Sequence, residues 1–209
     1  MLNAEEERWP VGLARLGHDV YYFETTSSWP YDPGRESHVG DSDYAVPYLE
    51  RVVRGFGFEH RWAYRRSYGD KAWFGMSRAA AEDLLAHADA VINVTGSTRV
   101  AEEGLEAGRM IYLGTDPVAH EILFHRGEED VRTIVAEHHD FATYGENIGT
   151  PACPVPALPG LRARTRQPIL LDQWEAGPPS KPEFTTTSST ASSMIARAPR
   201  MCCRTCSCA

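Results

Sequence analysis

Four short polar segments carry the side chains that could bind or react with a ligand. They are Glu24 with Thr25, the triplet Gly96, Ser97 and Thr98, the single residue Asp116, and Glu146 with Asn147. Each follows a short apolar run that predicts a buried strand. Their carboxylate, amide and hydroxyl groups can accept from or donate to the hydroxyls of a polar ligand. We expect these residues to face a cleft, because ligands of open α/β sheets bind beyond the carboxyl ends of strands.

The same segments also have ordinary structural explanations. Glycine and a capping serine suit any strand-to-helix turn, and residues 98–106 continue as a helix-like stretch whose free N–H groups would favour an anion. Asp116 is placed to cap a helix that has Pro117 in its first position. Glu146 and Asn147 are also turn-forming residues. Both explanations therefore remain open for each segment.

Residues 12–24, GLARLGHDVYYFE, show how these strand ends are positioned. The apolar spacing of Trp9, Leu13 and Leu16 predicts one face of a helix, and Gly17 sits where a helix commonly ends in a left-handed residue. The run 20–23 that follows is β-branched and aromatic, which predicts a strand covered on both faces. The polar segment 25–43 is longer than an ordinary connection, and such loops are usually functional or disordered.

The rest of the chain alternates between the two kinds of element. Helices are predicted near residues 47–56, 77–88, 98–106 and 128–138, and another begins at Pro117. Strands are predicted at 90–94, 110–113, 141–144 and 169–171. This succession predicts an α/β fold with a doubly wound, mostly parallel, Rossmann-like sheet. No strand is predicted before Trp9, although a doubly wound domain normally opens with its central strand. We therefore expect an incomplete sheet, in which the strand 20–23 has an open apolar edge.

Composition excludes several classes of protein. The net charge of −8 argues against a nucleic-acid surface, which would need a basic patch. No run of about 18 apolar residues is present, and the acidic N-terminus lacks the features of a signal peptide. The sequence therefore predicts a cytoplasmic protein without nucleic-acid partners or a transmembrane segment.

The C-terminal residues 184–209 form a tail that is rich in Ser, Thr, Arg and Cys. They contain four of the five cysteines and no Asp or Glu. Neither a helical nor a strand period is visible. A reading-frame artefact, a natural disordered tail and a soft-metal site are the alternatives, of which the first is favoured.

Two other groups of residues have chemical alternatives. The arginines and aromatic residues of the segment 61–75 could hold a sugar or a base, or form a short strand and turn. His138 and His139 could ligate a metal, but without a matching carboxylate spacing a solvated helix end is favoured. His120 and His125 are five residues apart and do not obviously share a helix face. The sequence predicts no metal site and no bound cofactor.

An ordered set of segments runs along the chain. It begins at residues 17–20, GHDV, after an amphipathic helix, and GLARLGHDVYYFE is followed by TSSWPYDP. YLGTDP, FATYGENIG and TRQPILLDQW complete the set, which spans residues 11–174. Together these segments resemble bacterial glycosyltransferase-like proteins of the GT-B type. This ordered set is moderately specific for the group, and it does not specify a donor or an acceptor.

The resemblance implies a fragment of an enzyme that transfers a sugar from a nucleotide-sugar co-substrate to an unknown acceptor without a metal. It implies that residues 1–160 form the acceptor-side Rossmann-like domain, that 161–183 begin a second domain or linker, and that 184–209 are the tail. No catalytic base is assigned. The first strand and nearly all of the nucleotide-binding domain are missing from the pattern, so an incomplete enzyme is expected.

Two other classes of function remain as alternatives. A non-catalytic α/β ligand-binding or interaction domain would keep the cleft without the chemistry. A Rossmann oxidoreductase would need a GxGxxG fingerprint after its first strand, and the sequence contains none.

Overall fold

The computed structural model describes residues 8–26 and 29–173. The chain divides into two compact units, Met1–Leu170 and Leu171–Ala209. In the second unit, the described residues form one short 3-10 turn, Leu171–Gln173. The predicted tail at 184–209 lies outside the described residues.

The predicted helix stop at Gly17 is confirmed. Helix α1 spans Arg8–Arg15, and Gly17 follows with a φ of +92°. The His18 amide donates to the Leu13 carbonyl at 3.2 Å, which closes the helix end through the left-handed glycine. The following strand, β1, begins at Tyr22 rather than Val20 and ends at Thr26.

A three-stranded sheet contains β1 and lies against the helix that connects its first two strands. Strand β4 (Trp62–Arg66) pairs in parallel with β1 and antiparallel with β5 (Trp73–Gly75), so β4 is central. Helix α2 (Ala45–Gly55) connects β1 to β4 and buries Leu49 and Val53 against Trp62. The segment 61–75 is thus a strand-and-turn unit, as its structural interpretation predicts.

The polar segment after β1 contains a small antiparallel pair, β2 (Tyr31–Asp32) and β3 (Ser37–His38). Arg35 joins the two ends of this segment, because its guanidinium pairs with Asp32 at 3.2 Å and with Asp41 at 2.6 Å. The described part of the long loop is therefore folded on itself.

A four-stranded parallel sheet forms the other half of the first unit. Its strands lie in chain order as β6 (Val91–Val94), β7 (Met110–Gly114), β8 (Asp140–Thr143) and β9 (Leu161–Arg164). Helix α3 (Arg78–His87) precedes β6, and its first turn is capped by the Ser77 hydroxyl, as predicted. Helices α4 (Ala119–Arg126) and α5 (Glu129–Ala136) connect β7 to β8.

Two predicted elements are wrong, and one strand was not predicted. Residues 98–106 form turns rather than a helix, because Gly104 has a φ of +64° and the Leu105 amide turns back to the Val100 carbonyl. Residues 169 and 170 are not a strand, and Leu171 begins the 3-10 turn. The unpredicted strand is Leu161–Arg164. Its sequence contains no apolar run, but its backbone pairs with β8.

The two sheets share a core within the first unit. Phe23 of β1 and Trp73 of β5 pack against a buried cluster of Leu85, Val100, Leu105 and Met110 from the four-stranded half. The buried Arg65 of β4 forms an ion pair with Glu103 in the connection between β6 and β7. The fold class is therefore mixed α/β with a parallel four-stranded sheet.

In the described residues, the two larger sheets end in β1 and β5 and in β6 and β9, and each of these strands lacks a neighbour on one side. Hydrogen bonds show which side this is for β1 and β6. The Tyr22 amide donates to the Arg61 carbonyl just before β4, and the Val91 amide donates to the Arg109 carbonyl just before β7. Alternate residues of a parallel strand bond to the same neighbour, so Phe23 and Ile92 direct their backbone groups to the open sides. No helix in the described ranges is long and apolar enough to cross a membrane.

Candidate functional site at the strand ends

The strands β6 to β9 direct their carboxyl ends to one edge of the sheet, because they are all parallel. We call the loops that follow them the carboxyl edge: residues 95–98 after β6, 115–118 after β7, 144–149 after β8 and 165–166 after β9. Six of the eight predicted site residues lie there, namely Gly96, Ser97, Thr98, Asp116, Glu146 and Asn147. The fold thus brings these six residues to one edge of one sheet.

Glu24 and Thr25 belong to the other sheet, at the carboxyl end of β1. Thr25 is 5% exposed, and its hydroxyl is hydrogen-bonded to that of Ser67 at 2.6 Å. The Glu24 carboxylate accepts a hydrogen bond from the Tyr22 hydroxyl at 2.8 Å. Thr25 thus links the end of β1 to the end of β4. The neighbouring Glu24 is half-buried.

The turn 95–98 has a strained backbone. Thr95 has a φ of +55°, a conformation that is rare for a β-branched residue, and Gly96 follows at +69°. The Ser97 amide and hydroxyl both donate to the Val94 carbonyl, at 3.1 and 3.0 Å. A Cβ on Gly96 would lie 2.6 Å from Cγ2 of Ile134, so only glycine fits. Strained backbone of this kind occurs most often at functional sites.

The expected anion site of a helix N-terminus is absent from this turn, because no helix begins at Ser97 or Thr98. Free N–H groups aligned along a helix axis are what such a site requires. The exposed Ser97 hydroxyl can still accept a hydrogen bond from a ligand. The turn can therefore contribute single polar contacts rather than an anion cradle.

The predicted cap at Asp116 is wrong. Helix α4 begins at Ala119, and its preceding residue, Val118, has a φ of +92° and donates its amide to the Glu121 carboxylate at 2.8 Å. The buried Glu121 therefore supplies the capping acceptor that the sequence assigned to Asp116. Asp116 is exposed at the end of β7, where a ligand can reach its carboxylate.

The loop after β8 lies directly beside the loop after β7. The Tyr144 amide donates to the Gly114 carbonyl at 2.9 Å, and a Cβ on Gly145 would be 3.1 Å from Cβ of Pro117. Glu146 therefore follows β8 as Asp116 follows β7, on adjacent strands. Two carboxylates occur at neighbouring strand ends.

Glu146 forms an ion pair with Arg166, which follows β9. The Arg166 guanidinium donates both Nε–H and Nη2–H to the carboxylate, the second at 3.0 Å. This hydrogen bonding lowers the pKa of Glu146, so the group is anionic at neutral pH. A carboxylate of this kind accepts hydrogen bonds from hydroxyls and is a weak general base.

Asn147 stabilises its loop through its backbone carbonyl and leaves its side-chain amide accessible to a ligand. Its carbonyl accepts from the amide and hydroxyl of Thr150, at 3.1 and 2.8 Å, which closes the loop. Its side chain is exposed beside Glu146. The expected pairing of an acceptor and an amide at this loop is thus present.

An aromatic pair adjoins the same loop. Trp9 of α1 donates its indole N–H to the Tyr144 hydroxyl at 2.7 Å, and both side chains are half-buried. Sequence reasoning placed Trp9 only on an apolar helix face. No local signal identifies its partner, because Tyr144 is 135 residues away.

The histidines do not form a metal centre in the described residues, where no three His, Cys, Asp or Glu side chains are grouped to hold one. His138 is buried at 8% exposure rather than solvated, which corrects the favoured interpretation. His139 is exposed and its Nδ1 accepts from the Met110 amide at 3.1 Å. His120 is hydrogen-bonded to the hydroxyl of the buried Tyr112.

The sequence matches no protein-family model, and no curated protein or solved structure is significantly similar to it. The interpretation of the carboxyl edge therefore depends on its own geometry and chemistry.

Proposed function

We propose that this chain is the acceptor-side domain of a glycosyltransferase-like protein, and that its carboxyl edge binds a hydroxyl-rich ligand. The observation that carries the proposal is the pair of exposed carboxylates, Asp116 and Glu146, on adjacent parallel strands. Such groups accept hydrogen bonds from vicinal hydroxyls, and the exposed Asn147 amide can donate as well as accept. The aromatic side chains of Trp9 and Tyr144 next to them offer apolar contact for the face of a sugar ring.

The strand order supports a doubly wound arrangement. From β1 the chain proceeds outward through β4 to β5, and from β6 it proceeds outward through β7 and β8 to β9. We propose that the two sheets are halves of one sheet whose order reverses between β1 and β6. Ligands of doubly wound sheets bind where the order reverses, which would put Glu24 and the turn 95–98 on either side of the cleft.

Ligand binding is tested by NMR titration of the ¹⁵N-labelled chain. The probes are methyl glycosides of glucose, galactose, mannose and rhamnose, and UDP. We expect saturable amide shifts at residues 95–98, 115–116 and 144–147 with at least one glycoside, and no saturation with UDP, whose site the resemblance places on the other domain. Shifts confined to the opposite edge of the sheet, or no saturation with any glycoside, would contradict the proposal.

A matched pair of variants assigns the site. Glu146→Gln removes the carboxylate at the carboxyl edge, whereas Glu106→Gln makes the same change at an exposed residue before β7, at the opposite edge. Because hydrogen bonds to a charged group contribute roughly 1.5–3 kcal/mol, Glu146→Gln should weaken glycoside binding by about tenfold or more. Equal effects of the two substitutions would exclude Glu146 from the site.

The ion pair of Glu146 with Arg166 favours a second candidate, a non-catalytic ligand-binding domain. Its lowered pKa makes Glu146 a poor proton acceptor at neutral pH, although it remains a good hydrogen-bond acceptor. Incubation of the chain with UDP-sugars and the bound glycoside tests the second candidate. A disaccharide product would require transfer and would contradict the non-catalytic domain, whereas binding without product is expected of both candidates, because the resemblance places the donor site on the other domain.

A further inference from the structure

A buried hydrogen-bond network joins the turn 95–98 to the end of α5. Asn93, in the middle of β6, is 3% exposed and His138 is 8% exposed. The Asn93 side chain contacts Thr98 in the manner of a backbone group: Nδ2 donates to the Thr98 carbonyl at 2.8 Å, and Oδ1 accepts from the Thr98 amide at 3.1 Å. Because Asn93 donates one hydrogen bond to Thr98 and accepts another from it, the positions of the amide nitrogen and oxygen of Asn93 are determined.

The remaining N–H of Asn93 points to His138. Nδ2 of Asn93 lies 3.0 Å from Nε2 of His138, and Nδ1 of His138 lies 2.6 Å from the Ile134 carbonyl. A carbonyl can only accept, so Nδ1 carries the proton. Nε2 of the neutral ring is then the acceptor for Asn93. Every donor and acceptor in this chain of contacts has a partner.

We propose that Asn93 and His138 are positioning residues for the turn 95–98, and that they hold it only while Nε2 of His138 is unprotonated. A proton on Nε2 would oppose an N–H of Asn93, since both would be donors. Turning the Asn93 amide over would relieve that conflict but would break both bonds to Thr98. Protonation of His138 therefore releases the turn.

The surroundings of His138 disfavour the charged ring. Burial is the main cause that lowers the pKa of His138, and the neighbouring His139 and Arg99 side chains act in the same direction. Arg99 is itself paired with Glu102 at 2.5 Å and lies 3.8 Å from Glu137. The bond from Nδ1 to Ile134 opposes the shift.

The other groups packed on the ring are uncharged. Tyr112 of β7 stands edge-on to His138 with ring centroids 5.6 Å apart, and Phe141 of β8 is 6.1 Å away. Burial raises the pKa of Tyr112, so its hydroxyl remains protonated. Its hydrogen-bond partner is Nδ1 of His120. Neither ring supplies a negative charge that would stabilise a protonated His138.

One consequence of this inference, a ligand affinity that falls as the pH falls, rests on the proposed function. The turn itself is measured without a ligand, so failure of the proposed function would leave this inference standing. The first experiment is ¹⁵N NMR of the imidazole nitrogens in the unmodified chain at pH 7.5. We expect Nδ1 to be protonated and Nε2 to be unprotonated, and a proton on Nε2 at this pH would overturn the assignment.

The second experiment is hydrogen exchange of the Thr98 amide, expressed as a protection factor relative to the intrinsic rate at each pH. Loss of about one hydrogen bond, about 1–1.5 kcal/mol, should reduce the protection factor by roughly tenfold once His138 is protonated. The variant His138→Gln supplies an amide oxygen that can accept from Asn93 without titrating. Its protection factor should not change with pH.

The control is His139→Gln, which removes the neighbouring, exposed histidine and should retain the pH response of the unmodified chain. A protection factor that is independent of pH in the unmodified chain would overturn the proposal. So would an equal response to pH in His138→Gln and His139→Gln.

Discussion

Trp9 donates its indole N–H to the hydroxyl oxygen of Tyr144 at 2.7 Å, which joins α1 to the loop after β8. The same helix buries Val11 in the core beside β4, where Val11 packs with Trp62 and Tyr64. Helix α1 therefore contacts both sheets of the first unit. This relationship explains how a helix of eight residues can hold its position at the carboxyl edge.

We predict that Trp9 and Tyr144 are energetically coupled. The substitutions Trp9→Phe and Tyr144→Phe each remove one partner of the hydrogen bond and leave an aromatic ring. A double-mutant cycle in urea should give a coupling free energy of about 1 kcal/mol, the usual net contribution of such a bond. Additive effects of the two substitutions on the free energy of unfolding would contradict the bond.

Alanine substitutions at Gly96 and Gly104 should distinguish the cost of a left-handed backbone from the cost of steric overlap. Both have a positive φ, but a Cβ on Gly104 would meet no atom within 4 Å, whereas one on Gly96 would overlap Ile134. Gly104→Ala should destabilise the fold by about 1–2 kcal/mol through the left-handed backbone alone. Gly96→Ala should lose roughly 1–3 kcal/mol more, because it also overpacks the core. Chemical denaturation measures both, and equal losses would contradict the close packing at Gly96.

The pKa of Glu146 should rise when Arg166 is removed. Hydrogen bonding from Arg166 lowers this pKa from its ordinary value of 4.5. The ion pair therefore contributes stability above pH 4.5, and this contribution is lost as the pH falls through the folded-state pKa. ¹³C NMR of the carboxyl group should show a higher pKa in Arg166→Gln. The exposed Arg126→Gln serves as the control and should leave the titration unchanged.

If the two sheets are separate rather than joined between β1 and β6, the open side of β6 should promote self-association, because unpaired strand edges pair with other chains. Ile92 is 37% exposed on this strand, and Ile169 is 58% exposed outside either sheet. Ile92→Lys should reduce self-association by introducing a charge on the edge strand, while Ile169→Lys adds the same charge elsewhere. Analytical ultracentrifugation at increasing concentration measures the difference. A chain that is monomeric at all concentrations before any substitution would show that the edge is protected.

Local sequence patterns predicted strands at two of the apolar runs. The runs ending at Val94 and Leu113 are apolar, and strands form at both places, but only the second is largely buried: Leu113 is 2% exposed, whereas Ile92 is 37% exposed. Gly17 and Ser77 marked a helix end and a helix start through backbone geometry and a capping oxygen, which depend on a few neighbouring residues. The placement of six predicted site residues at the carboxyl edge followed from the same reasoning, since the end of a strand is also the beginning of its loop.

Tertiary structure decided the features that depend on distant partners. The sequence LRAR at 161–164 lacks a buried pattern, and it becomes β9 because β8 offers it backbone hydrogen bonds. Asp116 lost its expected cap to Glu121, whose carboxylate reaches the Val118 amide within the folded turn. Arg166, Tyr144 and His138 acquired their roles from Glu146, Trp9 and Asn93 respectively. A polar residue inside the apolar strand at Asn93 was the one local sign of the network. Its partners could be found only where the chain returns to it, because side-chain hydrogen bonds depend on proximity in space rather than along the sequence.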